Sequence, residues 1–323
     1  MVTTGNESLM HTGTIWFPEA GSALAGQTDL LFYTIFVASV LFFLVLIGIT
    51  AFFLVKYKRS GKHTAALKQI THNDKLEIIW SVIPLIVVMG IFYWGYMEYL
   101  KLIVPPANTV DIHVTGKKWM WQFEYPQGKQ TLTDLVVPVN QPIKLIMSSE
   151  DVLHSFYLPN FRVKKDVIPN RYTVLWFSPE RVGNFQIFCT EYCGDGHSQM
   201  LGNLKVVSAE DYQKFLTEEE GKDIPDDQLD KLGAKLYVSK GCVACHSLDG
   251  KPGVGPSWKG LYGSKRTFSN APAEVADDNY IRESVVKPGA KVVTGFGPVM
   301  PTFSGLLSDR EITGIIAYIK TIK

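Results

Sequence analysis

The sequence predicts a multidomain membrane protein: a two-helix transmembrane hairpin, then an all-β sandwich, then an all-α domain. Three observations predict it. Two long apolar runs lie near the N-terminus, short alternating stretches fill the middle, and apolar residues at helical spacing mark the C-terminal part. The 323 residues suffice for two or three domains. A net charge of +1 gives no basis for a nucleic-acid or polyanion partner.

The first apolar run, LLFYTIFVASVLFFLVLIGITAFFLV at 30–55, carries no charge. It exceeds the ~20 residues that cross a hydrocarbon layer of ~30 Å. The second run covers 78–104, and its apolar core at 78–97 is also long enough to span. Pro84 lies inside it, which a membrane helix tolerates as a kink. Trp94, Tyr93, Tyr96 and Tyr99 gather near one end, as aromatics do at a membrane interface. Pro105 and Pro106 then end the helix.

The connecting loop, 56–75, holds Lys56, Lys58, Arg59, Lys62, Lys68 and Lys75, whereas residues 1–29 contain neither Lys nor Arg. The positive-inside rule puts the loop in the cytoplasm and both termini outside. No secretory apolar segment precedes residue 30, so the first run is read as an anchor rather than a cleaved signal. Two buried helices of a soluble protein are the alternative. The resulting division is an outer segment 1–29, the hairpin 30–104, a middle domain 105–215, a linker 216–228 and a C-terminal domain 229–323.

The middle domain shows VDIHV, WMWQFEY, DLVVPV, PIKLIMSS, RYTVLWF, NFQIFC and NLKVVS, each bounded by turn residues. Many short strands with regular turns read as a sandwich or barrel. Within it, Cys189-Thr-Glu-Tyr-Cys193-Gly-Asp-Gly-His197-Ser-Gln-Met200 gathers two thiols, an imidazole and a thioether. His154, in HSFYLP, sits upstream at a strand end. Soft sulphur with imidazole is the donor set that copper selects. Two cysteines on one loop can bridge two copper ions, with one histidine for each. Met200 and the backbone carbonyl of Glu191 would fill the outer positions. A Cys189–Cys193 disulfide and a zinc site are the alternatives. His113 reads as an ordinary strand residue, and His11, His63 and His72 are given no role.

The acidic stretch LTEEEGKDIPDDQ reads as the linker. Beyond it, LDKLGAKLYVSKGCVACHS ends in C-V-A-C-H, the spacing that attaches a c-type haem. Cys242 and Cys245 would form the covalent bonds, and His246 would bind the iron. A redox C-x-x-C is the alternative. Met300 is the methionine that follows Met200, and Met with His is a usual axial pair in electron-transfer haems. A lysine or water at the iron, or a core role for Met300, stays open. In LSDREITGIIAYIKTIK, the residues Ile312, Ile315, Ile316 and Ile319 share one helical face.

On these motifs, residues 27–207 resemble subunit II of the haem–copper cytochrome c oxidases. C-T-E-Y-C-G-D-G-H-S-Q-M is similar to that family's binuclear CuA loop, and HSFYLPNFRVKKDVIPN to the segment with its first histidine ligand. EIIWSVIPL and KKWMWQFEY resemble its second membrane helix and its aromatic stretch. Asn170 departs from the family's usual glycine. The resemblance implies a cupredoxin-like sandwich, with Trp119 as the electron-input tryptophan beside CuA. Trp121 is either its alternate or an ordinary core aromatic. The resemblance also implies Mg²⁺ bound by the Glu191 side chain at the subunit I interface, and Glu77 at the mouth of a cytoplasmic proton channel. Glu77 also suits a helix dipole where it stands.

Residues 229–323 resemble class I cytochrome c. The resemblance implies that the Pro256 carbonyl orients His246, that Trp258 replaces a commoner leucine, and that the terminal helix crosses near Gly233 and Tyr237. Together the two resemblances imply subunit II of a caa3-type oxidase in the bacterial cytoplasmic membrane, with both outer domains on the periplasmic side. Electrons would pass from a soluble cytochrome or a respiratory complex through haem c and CuA to haem a. Subunit I, with haem a, haem a3 and CuB, would reduce oxygen and pump protons, alongside subunit III. The delivery module of a CuA-containing nitric oxide reductase and a free-standing membrane-anchored carrier are the other readings.

Overall fold

The computed structural model describes residues 13–58, 71–218 and 221–323. Arg59, Lys62 and Lys68 of the basic loop, with His11 and His63, lie outside the described residues.

Helix α1 spans Ala23–Lys56. Ser22 caps it, its side chain accepting from the Ala25 amide at 3.3 Å. At 1.5 Å per residue the helix is about 51 Å long, so it extends beyond the hydrocarbon layer. Helix α2 spans Asp74–Ile103 with Asn73 as cap, and it continues through Pro84. Both start earlier than the apolar runs because polar caps, not hydropathy, fix a helix start. Neither apolar window is buried, so these are not core helices of a soluble domain.

The sandwich holds two five-stranded sheets. The first contains β1 (Val110–Lys117), β2 (Met120–Glu124), β3 (Gln130–Leu132), β5 (Ile143–Ser149) and β8 (Thr173–Phe177), in the order β3-β2-β1-β5-β8. The second contains β4 (Asp134–Pro138), β6 (His154–Leu158), β7 (Val163–Val167), β9 (Gly183–Cys189) and β10 (Leu201–Val207), in the order β4-β10-β9-β6-β7. Side chains alternate across each strand, and β5 buries every second residue. Trp121, Phe123, Leu145 and Phe156 fill the space between the sheets. Each such side chain contributes about 1.5–3 kcal/mol by leaving water.

Arg162 joins the sandwich to the hairpin. Its Nε and Nη2 each donate to a carboxylate oxygen of Asp29 at 2.8 Å, and Nη2 also reaches the Pro18 carbonyl. The guanidinium lies over the Phe17 ring, 4.9 Å from its centroid.

Helix α3 (Ala209–Thr217) closes the sandwich, setting Tyr212 at a tilt and Phe215 edge-on against Tyr125. The acidic stretch is held at both sides. Lys129 binds the Phe215 and Glu218 carbonyls, while Arg310 binds Asp226 and the carbonyls of Gly221 and Ile224.

The C-terminal domain contains α4 (Leu229–Ser239), α5 (Asp278–Val286), α6 (Asp309–Thr321) and a short ribbon of β11 (Lys265–Arg266) and β12 (Glu274–Val275). Ser308 and Glu311 form a capping box at the start of α6. Ile312, Ile315, Ile316 and Ile319 are all buried, as their spacing predicts. Helices α4 and α6 cross where a Cβ on Gly233 would lie 2.0 Å from the Gly314 carbonyl oxygen.

Candidate functional site

Two sites emerge. The first forms where β6 begins and β9 ends. Phe156 of β6 pairs with Cys189 of β9, which brings His154 beside the cysteine loop. The Cys189 and Cys193 sulphurs lie 3.9 Å apart and both thiols are free. A disulfide needs about 2.05 Å, so this geometry is not a bridge. Cys189 Sγ faces His154 Nδ1 at 3.9 Å and the Glu191 carbonyl at 3.3 Å. Cys193 Sγ faces His197 Nδ1 at 3.4 Å and Met200 Sδ at 3.8 Å. Each sulphur thus has its own imidazole and one weaker donor. Two thiols, two imidazoles, a thioether and a carbonyl exceed the four ligands of a structural zinc site. They fit a pair of soft metal ions bridged by sulphur, which copper favours.

Electrostatics separates the two thiols. Burial pushes Cys189 up, but hydrogen bonds from His154 and at the Ser155 and Glu191 backbone outweigh it and bring it down to about 7. Cys193 is pushed up to about 12 by burial and by the negative charge of Cys189. The sequence pattern did not reveal Asp151. Its Oδ1 lies 2.9 Å from His154 Nε2 and its Oδ2 accepts from the Lys118 amide at 2.8 Å. An acid that fixes the outer nitrogen of a histidine ligand turns the inner one to the metal.

Trp119 covers the loop. Its Nε1 donates to the Cys193 carbonyl at 3.1 Å. A Cβ on Gly196 would lie 2.4 Å from the indole, so the loop needs glycine there. Trp121 is fully buried and makes edge contacts with Phe156 and His154, the geometry of a core aromatic. Asn170 adopts φ 58°, the left-handed turn that its substitution for glycine requires.

The second site is an apolar, partly open pocket in the C-terminal domain. Cys242, Cys245 and His246 line it, and so does Met300. The cysteines occupy a tight turn at Cys242–Ala244 that follows helix α4, not a strand, which removes the redox C-x-x-C alternative. His246 Nδ1 donates to the Pro256 carbonyl at 2.7 Å. Burial and the charge of Arg266 lower the ring's pKa against that hydrogen bond. A neutral ring with Nδ1 occupied leaves Nε2 free for a metal. Gly255 lies so close that a Cβ there would stand 2.7 Å from His246 Cε1. Trp258 stacks on the same ring at 5.5 Å. Lys291 also lines the cavity, but its ammonium is held by Glu274 at 2.7 Å and Glu283 at 2.6 Å. Met300 carries no competing charge pair, and its sulphur accepts only a weak contact from Ser284 at 3.9 Å. The apolar walls, the paired thiols and the His246 and Met300 side chains fit a haem.

Glu77 lies in the first turn of α2, where its carboxylate accepts from the Asn73 amide at 3.3 Å. It stands far along the chain from both sites and closes a helix cap. The Glu191 carbonyl is the group that faces the sulphur cluster.

Comparison with known families identifies the domains. Residues 10–95 match cytochrome c oxidase subunit II, transmembrane domain; 128–207 match its periplasmic domain; and 231–323 match cytochrome c. Cytochrome c oxidase subunit 2 of Alkalihalophilus pseudofirmus is 27% identical over 289 residues, covering 87% of this chain and 82% of the relative. That of Bacillus sp. strain PS3 is 26% identical over 292 residues, covering 82% and 79%. That of Vanderwaltozyma polyspora is 30% identical over 208 residues, covering 55% of this chain and 83% of the relative. The yeast relative aligns over a shorter part of the chain, whereas the two bacillar relatives align over most of it. The chain belongs to the cytochrome c oxidase subunit II family and carries a cytochrome c domain at its C-terminal end.

Proposed function

We propose that this chain is subunit II of a caa3-type cytochrome c oxidase, relaying electrons one at a time from a donor through haem c to binuclear CuA and on to haem a. Membership of the family makes it a membrane-anchored component of a haem–copper oxidase and a partner of subunit I. The observation that carries the finer reading is the presence of both sites in one chain: a C-V-A-C-H turn in an apolar cavity and a two-cysteine loop with paired imidazoles.

His154, Cys189, the Glu191 carbonyl, Cys193, His197 and Met200 would hold the copper pair. Cys242 and Cys245 would bond the haem covalently, with His246 and Met300 on its iron. Bound there, these groups supply reversible one-electron chemistry. The chain's part is to orient and to exclude water. Asp151 sets the His154 ring, the Pro256 carbonyl sets the His246 ring, and Trp119 covers the copper loop. Fusion keeps donor and acceptor at an effective concentration on the order of mM, without a diffusing carrier between them.

Oxygen reduction and proton pumping belong to subunit I in this reading, and subunit III completes the core. Trp119 would carry the electron to the copper pair, the Glu191 side chain would hold Mg²⁺ at the subunit interface, and Glu77 would stand at the mouth of a proton channel. Both outer domains face the periplasmic side, a placement supported by the match to a periplasmic domain. Absorption spectra of the copper-loaded chain test the relay. A c-haem band and a near-infrared CuA band are expected together; a haem band alone after copper loading overturns it. Co-purification with a haem-a subunit separates it from a free-standing carrier.

A further inference from the structure

Successive side chains on a strand point to opposite faces. Met120 and Trp121, the first residues of β2, use this alternation: Trp121 lies in the core of the sandwich and Met120 in that of the cytochrome domain, with Trp119 in the turn just before them. Trp119 lies on the copper loop, bonded to the Cys193 carbonyl. Met120 points away from it, is 8% exposed, and lines the haem cavity with Gly241, Cys242 and Cys245. Its methyl carbon lies 3.8 Å from where a Cβ on Gly241 would sit. Leu132, on the neighbouring strand β3, is buried in the core of the cytochrome domain. Thr133 Oγ1 donates to the Ser239 carbonyl at 3.1 Å, at the end of α4. In the other direction, Cys245 and Val254 pack against the core of the sandwich.

The contact is therefore largely apolar and reciprocal, and it falls on the turn that carries the C-V-A-C-H thiols. We infer that the cytochrome domain is latched onto the sandwich in its electron-delivering position, and that Met120 is the positioning residue of this latch. The inference rests on the proposed relay. A tether alone would give many orientations. The latch selects the one in which the cavity wall, Met120, Trp119 and Cys193 follow one another. Each transfer takes one electron from ferrous haem and delivers it to the oxidised copper pair. No bond forms or breaks, and no proton moves. Tunnelling falls off exponentially with the gap, so loosening the latch slows this step while leaving each centre intact.

The test uses the full chain with both centres loaded, in detergent, as Met120→Leu, Met120→Ala and Met120→Lys. Haem is reduced by a flash, and the first-order arrival of the electron at copper is followed optically. Hydrogen exchange over residues 130–134 and 239–246 reports the latch independently of redox chemistry. Met120→Leu, which keeps volume and apolarity, stays within about twofold of the parent on both readouts. Met120→Lys slows transfer at least about tenfold and raises exchange in both segments, because a charge in an apolar wall is expelled. Its haem and copper bands stay unchanged. Met120→Ala gives an intermediate loss and serves if the lysine variant does not fold. Parent-like transfer and exchange in both Met120→Ala and Met120→Lys overturn the latch. Absence of any transfer in the parent, with both bands present, overturns the relay instead, and exchange alone then decides the latch.

Discussion

Asp151 Oδ1 lies 2.9 Å from His154 Nε2, so the ring's other nitrogen is turned toward Cys189. The acid also accepts the Lys118 amide, which fixes the backbone just before Trp119. One carboxylate therefore sets both the His154 imidazole and the turn that carries Trp119. Asp151→Asn keeps the size but loses the charge and one acceptor. Copper affinity should fall roughly 10–100-fold, as for other supports of histidine ligands. Competition against a copper chelator measures this; unchanged affinity would mean that the ring is held by packing alone.

The two loop thiols differ sharply in the copper-free, haem-loaded chain. Cys189 is lowered to about 7, so its reactive thiolate is scarce below that pH and accumulates above it. Cys193, raised to about 12, stays protonated through the same range. Alkylation by a small reagent, mapped by mass spectrometry, should rise at Cys189 with a midpoint near pH 7 and leave Cys193 unmodified. Parallel rises at both positions near the ordinary thiol value of about 8.5 would contradict this asymmetry.

Met300→Ala should open one face of the haem iron. Carbon monoxide should then bind the reduced haem, and the potential should fall, because a methionine axial ligand raises it. The carbon monoxide difference spectrum and a redox titration read the two effects. A parent-like spectrum and no carbon monoxide binding would remove Met300 from the iron.

Gly233→Ala tests the helix crossing that closes the cytochrome domain. A methyl group there meets the Gly314 backbone, which no rotamer change can relieve. Overpacking of this kind costs about 1–3 kcal/mol. In a domain of this size each kcal/mol moves the midpoint by about 4–8 °C. Gly289→Ala is the control, since a Cβ there meets nothing within 4 Å. Equal melting of the two variants, followed by haem absorbance, would refute the close crossing.

Much of the site was legible because its residues are near one another in sequence. Cys189 to Met200 is one loop, and C-V-A-C-H is one turn. His154 is distant, yet it stands at a strand end in a recognisable segment. Asp151, Met120 and Gly196 were not legible. Their roles depend on which way a side chain faces across a tertiary contact, and local periodicity carries no such information. The fold shows the same division. The Ile312, Ile315, Ile316 and Ile319 stripe predicted its own burial. Helix α3 was missed beside the acidic stretch, although Ser208 with Asp211 three residues later was a readable cap. The membrane helices begin before their apolar runs because Ser22 and Asn73 set the first turn.

The Arg162–Asp29 clasp has a mechanical consequence. Two parallel hydrogen bonds at 2.8 Å join the outer end of α1 to the sandwich without a hinge. Helix and sandwich would therefore move together when the helix tilts in the bilayer. A membrane thinner than the hairpin's apolar length is accommodated by helix tilt. That tilt would swing the cysteine loop sideways over the lipid surface, so in the proposed relay bilayer thickness itself would steer where electrons are handed over.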